Sequence, residues 1–454
     1  MDRFSEALLT DLYELTMAQA YWRSGVTSQA TFSLFFRGFP RNRSYYVFAG
    51  LEDVLDYLER FHFVDADIEY LRTLNRFDEE FLAYLSDLRF TGDVRAMREG
   101  TLCFADEPVL EVRAPIIEAQ IVETYLLNQV TFQSTIATKA SRVVHAAQGR
   151  SVADFAARRT HGTDAATKVA RSGYLAGYAS TSNVKAGARY GIPVVGTMAH
   201  SFIMAFDTEI EAFRAFTHAF PDYATLLVDT YDTLRGVRNA IEVGKDLERE
   251  GHVLRGVRID SGDLAHLARE ARQLLDGAGF TGVGVFASGG LDEYEVDRLV
   301  REGSPIEGFG VGTRAGTSAD APYLDSAYKL VEYASRPVLK LSSKKQSLAG
   351  CKQVFRMQND DGSFERDVIA LLGETPPTNT AHPLLADVMT EGALVGAPAS
   401  LDELRVFHTG QIARLPTRYK ALMSAPRYPV DVSEKLRDLQ TEVVRDVRDR
   451  ELGE

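Results

Sequence analysis

Between Val194 and Phe206 the chain reads VVGTMAHSFIMAF, an apolar run broken by Gly196, Thr197, His200 and Ser201. A histidine set there could be a base, a metal ligand, a nucleophile or a hydrogen-bonded core residue. Similar polar interruptions follow other apolar runs. DFAARR (154–159) puts adjacent arginines, Arg158 and Arg159, behind Phe155, and RIDSGD (258–263) carries Arg258, Asp260 and Asp263. ASGG (287–290) and GVGT (310–313) supply Gly289, Gly290, Gly312 and Thr313. Arginine's planar fork of donors suits phosphate and carboxylate. Glycine-rich turns leave backbone N–H groups open to phosphate oxygens, and the following helix N-terminus adds its positive end. The carboxylates of RIDSGD could bind Mg2+ or accept from ribose hydroxyls, while Ser261 or Asp263 could cap a helix starting at Leu264. His200 has no companion cluster with metal-ligand spacing and no serine elbow nearby. Proton transfer or nucleophilic attack on phosphorus remains.

Such residues must be held by regular elements. Strand-like and helix-like segments alternate through the middle of the chain. SVADFAARR (151–159), IPVVGTMAH (192–200), ATLLVDTYD (224–232), VLRGVRID (253–260), GVGVFASGG (282–290) and IEGFGVGT (306–313) read as strands, with helix-period segments between them. That rhythm predicts repeated βα units and a parallel sheet. Six or more such units suggest an irregular (β/α) barrel, with polar residues at the strand C-termini forming the site and the last strands holding phosphate. An open doubly wound sheet is the alternative, but no G-x-G-x-x-G opens a helix after an early strand.

The two ends of the chain differ from the middle. ATFSLFFRGFP (30–40) and the β-rich stretch 92–115 flank helical segments at 50–62 and 78–88. Beyond residue 335, PVLKLS, KQVFRMQ and FERDVIALLG read as short strands split by the turn NDDGS, before a charged amphipathic helix over 431–450. The expected organisation is an α+β domain built from residues 1–130 and 336–454 around a barrel at 131–335.

Size and charge narrow the function. At 454 residues the chain exceeds the ~250–300 at which single cores stop growing. A net charge of −13 argues against nonspecific nucleic-acid binding and anionic membranes, so an anionic ligand needs a local cationic pocket. No window reads as a membrane span or secretory signal, and two cysteines make no disulfide framework. A cytoplasmic setting is expected.

Taken in order, the motifs LLTDLYELTMAQAYW (8–22), FFRGFP (35–40), DFAARR, TSNV (181–184), GTMAHSF (196–202), RIDSGDL, ASGGLDE, GVGT and KQVFR (352–356) resemble those of the nicotinate phosphoribosyltransferase family. The resemblance implies a type II phosphoribosyltransferase barrel and a homodimer with shared active sites. It implies that nicotinate and 5-phosphoribosyl 1-diphosphate are joined with Mg2+, coupled to ATP hydrolysis through a phosphohistidine, in the Preiss–Handler route of NAD salvage. On this chain the phosphorylated residue would be His200, beside Ser201. Tyr13 of the partner subunit and Phe155 would sandwich the pyridine ring. Arg158, Arg159 and Arg37 would bind phosphates or the carboxylate, Arg258 the pyridine substituent, and Asp260 the ribose or Mg2+. Gly289, Gly290, Gly312 and Thr313 would hold the 5-phosphate. Two positions depart from the pattern: Ala156–Ala157 replaces the Gly-Thr or Gly-Leu often found before the arginine pair, and Met198 stands where nicotinamide-using relatives carry an acid. An acid there would repel a carboxylate, so Met198 favours nicotinate. The rivals are a phosphoribosyltransferase using nicotinamide or quinolinate, and a barrel lyase or aldolase with a Schiff-base lysine, for which Lys139 and Lys168 are poor candidates.

Overall fold

Six short parallel strands, Ser151–Asp154, Ser180–Thr181, Thr225–Leu227, Gly256–Ile259, Gly284–Ser288 and Gly308–Val311, alternate with helices. The last pairs with the first, Gly310 opposite Ala153, the pairing that curls a βα sheet into a barrel rather than an open sheet. The hydrogen-bonded series ends at Ser180–Thr181 on one side and Thr225–Leu227 on the other, so the barrel is incomplete. In this computed structural model, which describes residues 3–341 and 347–453, the barrel occupies residues 136–322; a second unit comprises residues 1–135 and 323–454. The division near 322 precedes the boundary expected at 335 and leaves the strand Ser326–Tyr333 with the second unit.

Aspartates after the strands start the next helices. Asp232 accepts from Arg235 N–H at 2.8 Å, Asp263 from His266 N–H at 3.2 Å, and Asp292 from Tyr294 and Glu295 N–H at 3.1 and 3.0 Å. These caps satisfy helix-end donors that otherwise have no partner.

Two expected strands are shorter than their apolar runs. SVADFAARR is a strand only to Asp154 and then turns through a 3-10 helix, Ala157–Arg159. Within IPVVGTMAH only Val194 bridges Thr181, and Val194 and Val195 are 48% and 40% exposed rather than buried. Thr181 N–H donates to the Pro193 carbonyl at 3.0 Å and Val195 N–H to the Thr181 carbonyl at 2.9 Å, and the pairing goes no further. His200 opens a short helix, His200–Ile203.

The second unit is built on an antiparallel sheet of seven strands whose central members are Ser326–Tyr333, Gln29–Phe36, Pro108–Pro115 and Asp93–Met97. The strand Gln29–Phe36 is buried along nearly its whole length, as its continuous apolar run requires. A four-stranded sheet contains the hairpin Lys352–Gln358 and Phe364–Leu371, turned at Asn359–Ser363 as NDDGS predicts. Of PVLKLS, only Pro337 lies in a strand, and Ser342 falls outside the described residues. The terminal helix is Glu434–Glu451.

KQVFR has a structural role here. Arg356 is buried and grips Asp367 with two donors, Nε at 3.0 Å and Nη2 at 2.6 Å, while Tyr428 donates to the same carboxylate at 3.2 Å. Glu107 lies against that carboxylate, and its Oε1 has no donor facing it. Burial and Asp367 hold the Glu107 carboxyl well above the ordinary range, so the folded chain binds its proton more tightly than the unfolded chain does. The unfolded chain releases that proton near pH ~4.3. Above this the folded state binds more protons, and stability falls as pH rises, by up to about 1.4 kcal/mol per pH unit for one group. Glu107→Gln, neutral at every pH, should flatten the fall in urea-unfolding stability as pH rises above about 4.3. An unchanged pH slope would mean that Glu107 ionises in the folded protein.

Candidate active site

The C-terminal ends of the barrel strands bring most of the sequence-predicted residues together. Phe155 follows the first strand, and its N–H donates to Val311 carbonyl at 2.7 Å. Its ring lies over Gly310, where a Cβ would sit 2.5 Å from the ring carbons. Only glycine lets the ring lie there. The Arg258 guanidinium stands 5.8 Å from that ring centroid.

Arg258 is the most constrained cation of the site. Its Nη2 donates to the Met198 carbonyl at 2.9 Å, while its Nε is buried and has no partner among the described residues. Burial pulls the guanidinium below its ordinary value, Asp260 and Asp229 oppose that, and Arg158 adds to it. An anion brought to Arg258 would satisfy the open donor and offset the neighbouring positive charge. Arg158 and Arg159 are exposed at the mouth, which gives an acidic chain its local cationic face.

Asp260 accepts from Ser288 Oγ at 2.5 Å, and its own N–H donates to Asp229 Oδ2 at 3.0 Å. Ser261 also donates to Asp229, at 2.6 Å, and Asp229 Oδ1 is buried without a partner. Gly289 has φ +88°, and any Cβ on it would collide with the Asp260 carbonyl, so this turn demands glycine. Gly290 follows in the same left-handed region, leaving the backbone exposed ahead of the helix Glu293–Arg301. Gly312 and the exposed Thr313 start the neighbouring turn, and Arg314 ties it to the first through Asp292 at 3.3 Å.

His200 Nδ1 meets Thr230 Oγ1 at 3.1 Å, which leaves Nε2 without a partner among the described residues. Ser201 is exposed beside it. Thr230 and Asp229 both lie in LLVDTYD, a candidate strand whose polar end suggested no chemistry by itself. The signal was present: an apolar run ending in Asp and Thr, as at the other strand ends. Asp154 is a further unremarked member. It is 1% exposed and accepts from Ala156 N–H at 2.9 Å and Thr181 Oγ1 at 2.7 Å, which fixes the turn carrying Phe155.

Tyr13 and Arg37 belong to the second unit. Tyr13 is half exposed on the helix Leu12–Arg23, beside exposed Leu9, Leu12 and Met17. Arg37 pairs with Asp325 at 3.3 Å. Lys139 is buried against Glu293 and Asp320, and Lys168 pairs with Asp164 at 2.8 Å, so neither amine is a free Schiff-base former. No helix of the described residues is long and apolar enough to cross a membrane.

A barrel with phosphate-type turns on its last strands and an aromatic–arginine cleft is a phosphoribosyltransferase architecture of the type II kind. Residues 8–131, 150–360 and 377–440 match the N-terminal domain, the family proper and the C-terminal domain of nicotinate phosphoribosyltransferase. The chain is 51% identical over 432 residues to nicotinate phosphoribosyltransferase pncB2 of Mycobacterium tuberculosis, covering 95% of this chain and 92% of that protein. It is 39% identical to the Bacillus subtilis nicotinate phosphoribosyltransferase, covering 98% and 96%. The crystal structure of human nicotinic acid phosphoribosyltransferase superposes with a TM-score of 0.87 at 30% identity, covering 96% and 99%. This chain belongs to the nicotinate phosphoribosyltransferase family.

Proposed function

We propose that this protein joins nicotinate to 5-phosphoribosyl 1-diphosphate, giving nicotinate mononucleotide and diphosphate, and couples the reaction to ATP hydrolysis through phosphorylated His200. The observation that carries the reading is Arg258, a buried guanidinium with an open Nε donor 5.8 Å from the Phe155 ring centroid. An aromatic ring bearing a carboxylate answers both groups. Met198 stands where an acid would favour a carboxamide, which favours nicotinate over nicotinamide.

Gly289, Gly290, Gly312 and Thr313 hold the ribose 5-phosphate through exposed backbone donors, and Asp260 accepts from the ribose hydroxyls. Arg158 and Arg159 meet the diphosphate. Tyr13 of the partner subunit closes the pyridine ring from its other side in a homodimer, a reading supported by the exposed apolar strip Leu9, Leu12, Tyr13 and Met17. Mg2+ fits the donor set: Asp229 has a buried oxygen without a partner beside Asp260, and Mg2+ commonly binds through one or two carboxylates plus substrate phosphates. When bound there it neutralises charge on the leaving diphosphate.

With the Nδ1 proton donated to Thr230, the Nε2 lone pair of His200 attacks the γ-phosphorus of ATP. The N–P bond forms as the β–γ bridging P–O bond breaks and ADP leaves. The added phosphoryl charge and acceptor oxygens tighten the site for the sugar diphosphate. The pyridine nitrogen then displaces diphosphate at the anomeric carbon, oriented by Phe155 and Arg258. Water resets the phosphohistidine. This places the protein in NAD salvage by the Preiss–Handler route, as a cytoplasmic ATP-dependent ligase.

The test is to incubate the protein with phosphoribosyl diphosphate and Mg2+, with and without ATP, offering nicotinate, nicotinamide and quinolinate separately. Nicotinate alone should give mononucleotide, with ADP released in step. Turnover of either other pyridine in its place overturns the substrate assignment, and product formed in the presence of ATP without ADP release overturns the coupling.

A further inference from the structure

(β/α) barrels usually fill their interior with layers of branched side chains. This one does not. Aligned across the strands, its inward rows read Thr225–Gly256–Gly284, then Leu227–Arg258–Phe286–Gly308–Ser151, then Ser288–Gly310–Ala153–Ser180. Most of these side chains are no larger than threonine. The Phe286 ring lies over the glycine floor: a Cβ on Gly256, Gly284 or Gly308 would come within 3.0 Å of its ring atoms. The bore is therefore left as a cavity of about 830 Å³.

Across the seam where strand pairing is missing, an aromatic series walls the space. Phe206, Phe202, Phe216 and Phe220 follow one another with ring centroids 5.1, 6.1 and 5.4 Å apart, and Phe216 and Phe220 face the cavity. Arg258 lies toward the strand C-termini. At the N-terminal mouth stand Thr225, Ser151 and Arg255, with Asp222 engaged by His252 at 3.1 Å. The cavity is thus apolar in its middle, with Arg258 toward one end and the opposite charges of Arg255 and Asp222 at the other.

We propose that the part of this bore beyond Arg258 is a second compartment, continuous with the pyridine site, that binds aromatic carboxylates larger than one ring. This rests on the proposed pyridine site for its upper end. A single pyridine carboxylate leaves most of the space empty, and cavities of this size hold molecules of several rings. An aryl extension enters a preformed apolar wall while its carboxylate keeps Arg258.

Calorimetric titration with 6-phenylnicotinate, 2-naphthoate and nicotinate tests this in the intact protein. Phenylnicotinate should bind about tenfold more tightly than nicotinate and inhibit competitively. Thr225→Trp and Ser151→Trp, which plug the N-terminal half, should each abolish that gain while nicotinate turnover stays within about twofold. Should Thr225→Trp lose nicotinate turnover through misfolding, Ser151→Trp, at an exposed position, decides the matter. Phenylnicotinate binding no tighter than nicotinate, or unaffected by the plugs, overturns the inference. If nicotinate neither binds nor turns over while naphthoate binds and the plugs expel it, the pyridine reading fails and the compartment stands.

Discussion

Alanine at position 200 should leave an enzyme that still forms nicotinate mononucleotide at high substrate but no longer responds to ATP. In the unaltered protein ATP should lower the apparent KM for phosphoribosyl diphosphate by roughly 5- to 150-fold, the usual size of a coupling between two ligands. With His200→Ala that difference should vanish, together with nicotinate-dependent ADP release. The structural basis is the pairing of Nδ1 with Thr230, which orients the ring and leaves Nε2 open. Thr230→Val tests the same arrangement more gently: phosphorylation slows because the tautomer is no longer held, but the acceptor nitrogen survives. Retention of full ATP coupling by His200→Ala would remove His200 from the mechanism.

Local pattern carried the barrel well because its information is local. The alternation of helix-period and strand segments, the capping aspartates and the glycine turns all lie within a few residues of the elements they shape. Asp263 shows this: it caps the helix at Leu264, one of the two roles its motif allowed, while Asp260 turns to Ser288. What the sequence hid depends on distant pairing. Ser326–Tyr333 joins the second unit because it pairs along its length with Gln29–Phe36, nearly three hundred residues away. The stretch at 192–200 misled because its apolar residues suggested a buried strand, whereas it makes a single bridge to Thr181 and leaves Val194 and Val195 exposed. Asp229 went unremarked because its importance comes from partners at 260 and 261 on the next strand. Single residue types at strand ends were legible, but the hydrogen bonds that join neighbouring strand ends were not.

Arg258→Ala should cost nicotinate far more than nicotinamide. Truncating one member of a desolvated charge pair typically costs 2–5 kcal/mol, so kcat/KM for nicotinate should fall roughly 30- to 5,000-fold. The loss should fall mainly on KM, because the carboxylate contact is present in the ground state and the transition state alike. Binding of nicotinamide, read as competitive inhibition, brings no charge to the guanidinium and should change little. Arg258→Lys keeps the charge but loses the planar fork and should fall between the two. A second consequence must be separated from the first. Arg258 also donates to the Met198 carbonyl at 2.9 Å and so holds the loop that leads into His200. If the main effect of the substitution were to release that loop, ATP hydrolysis would fall with it, even at saturating nicotinate. If Arg258 acts on the carboxylate, ADP release at saturating nicotinate persists while KM climbs. Equal losses with nicotinate and nicotinamide, accompanied by loss of ADP release, would make Arg258 a support for the loop and leave the carboxylate without its partner.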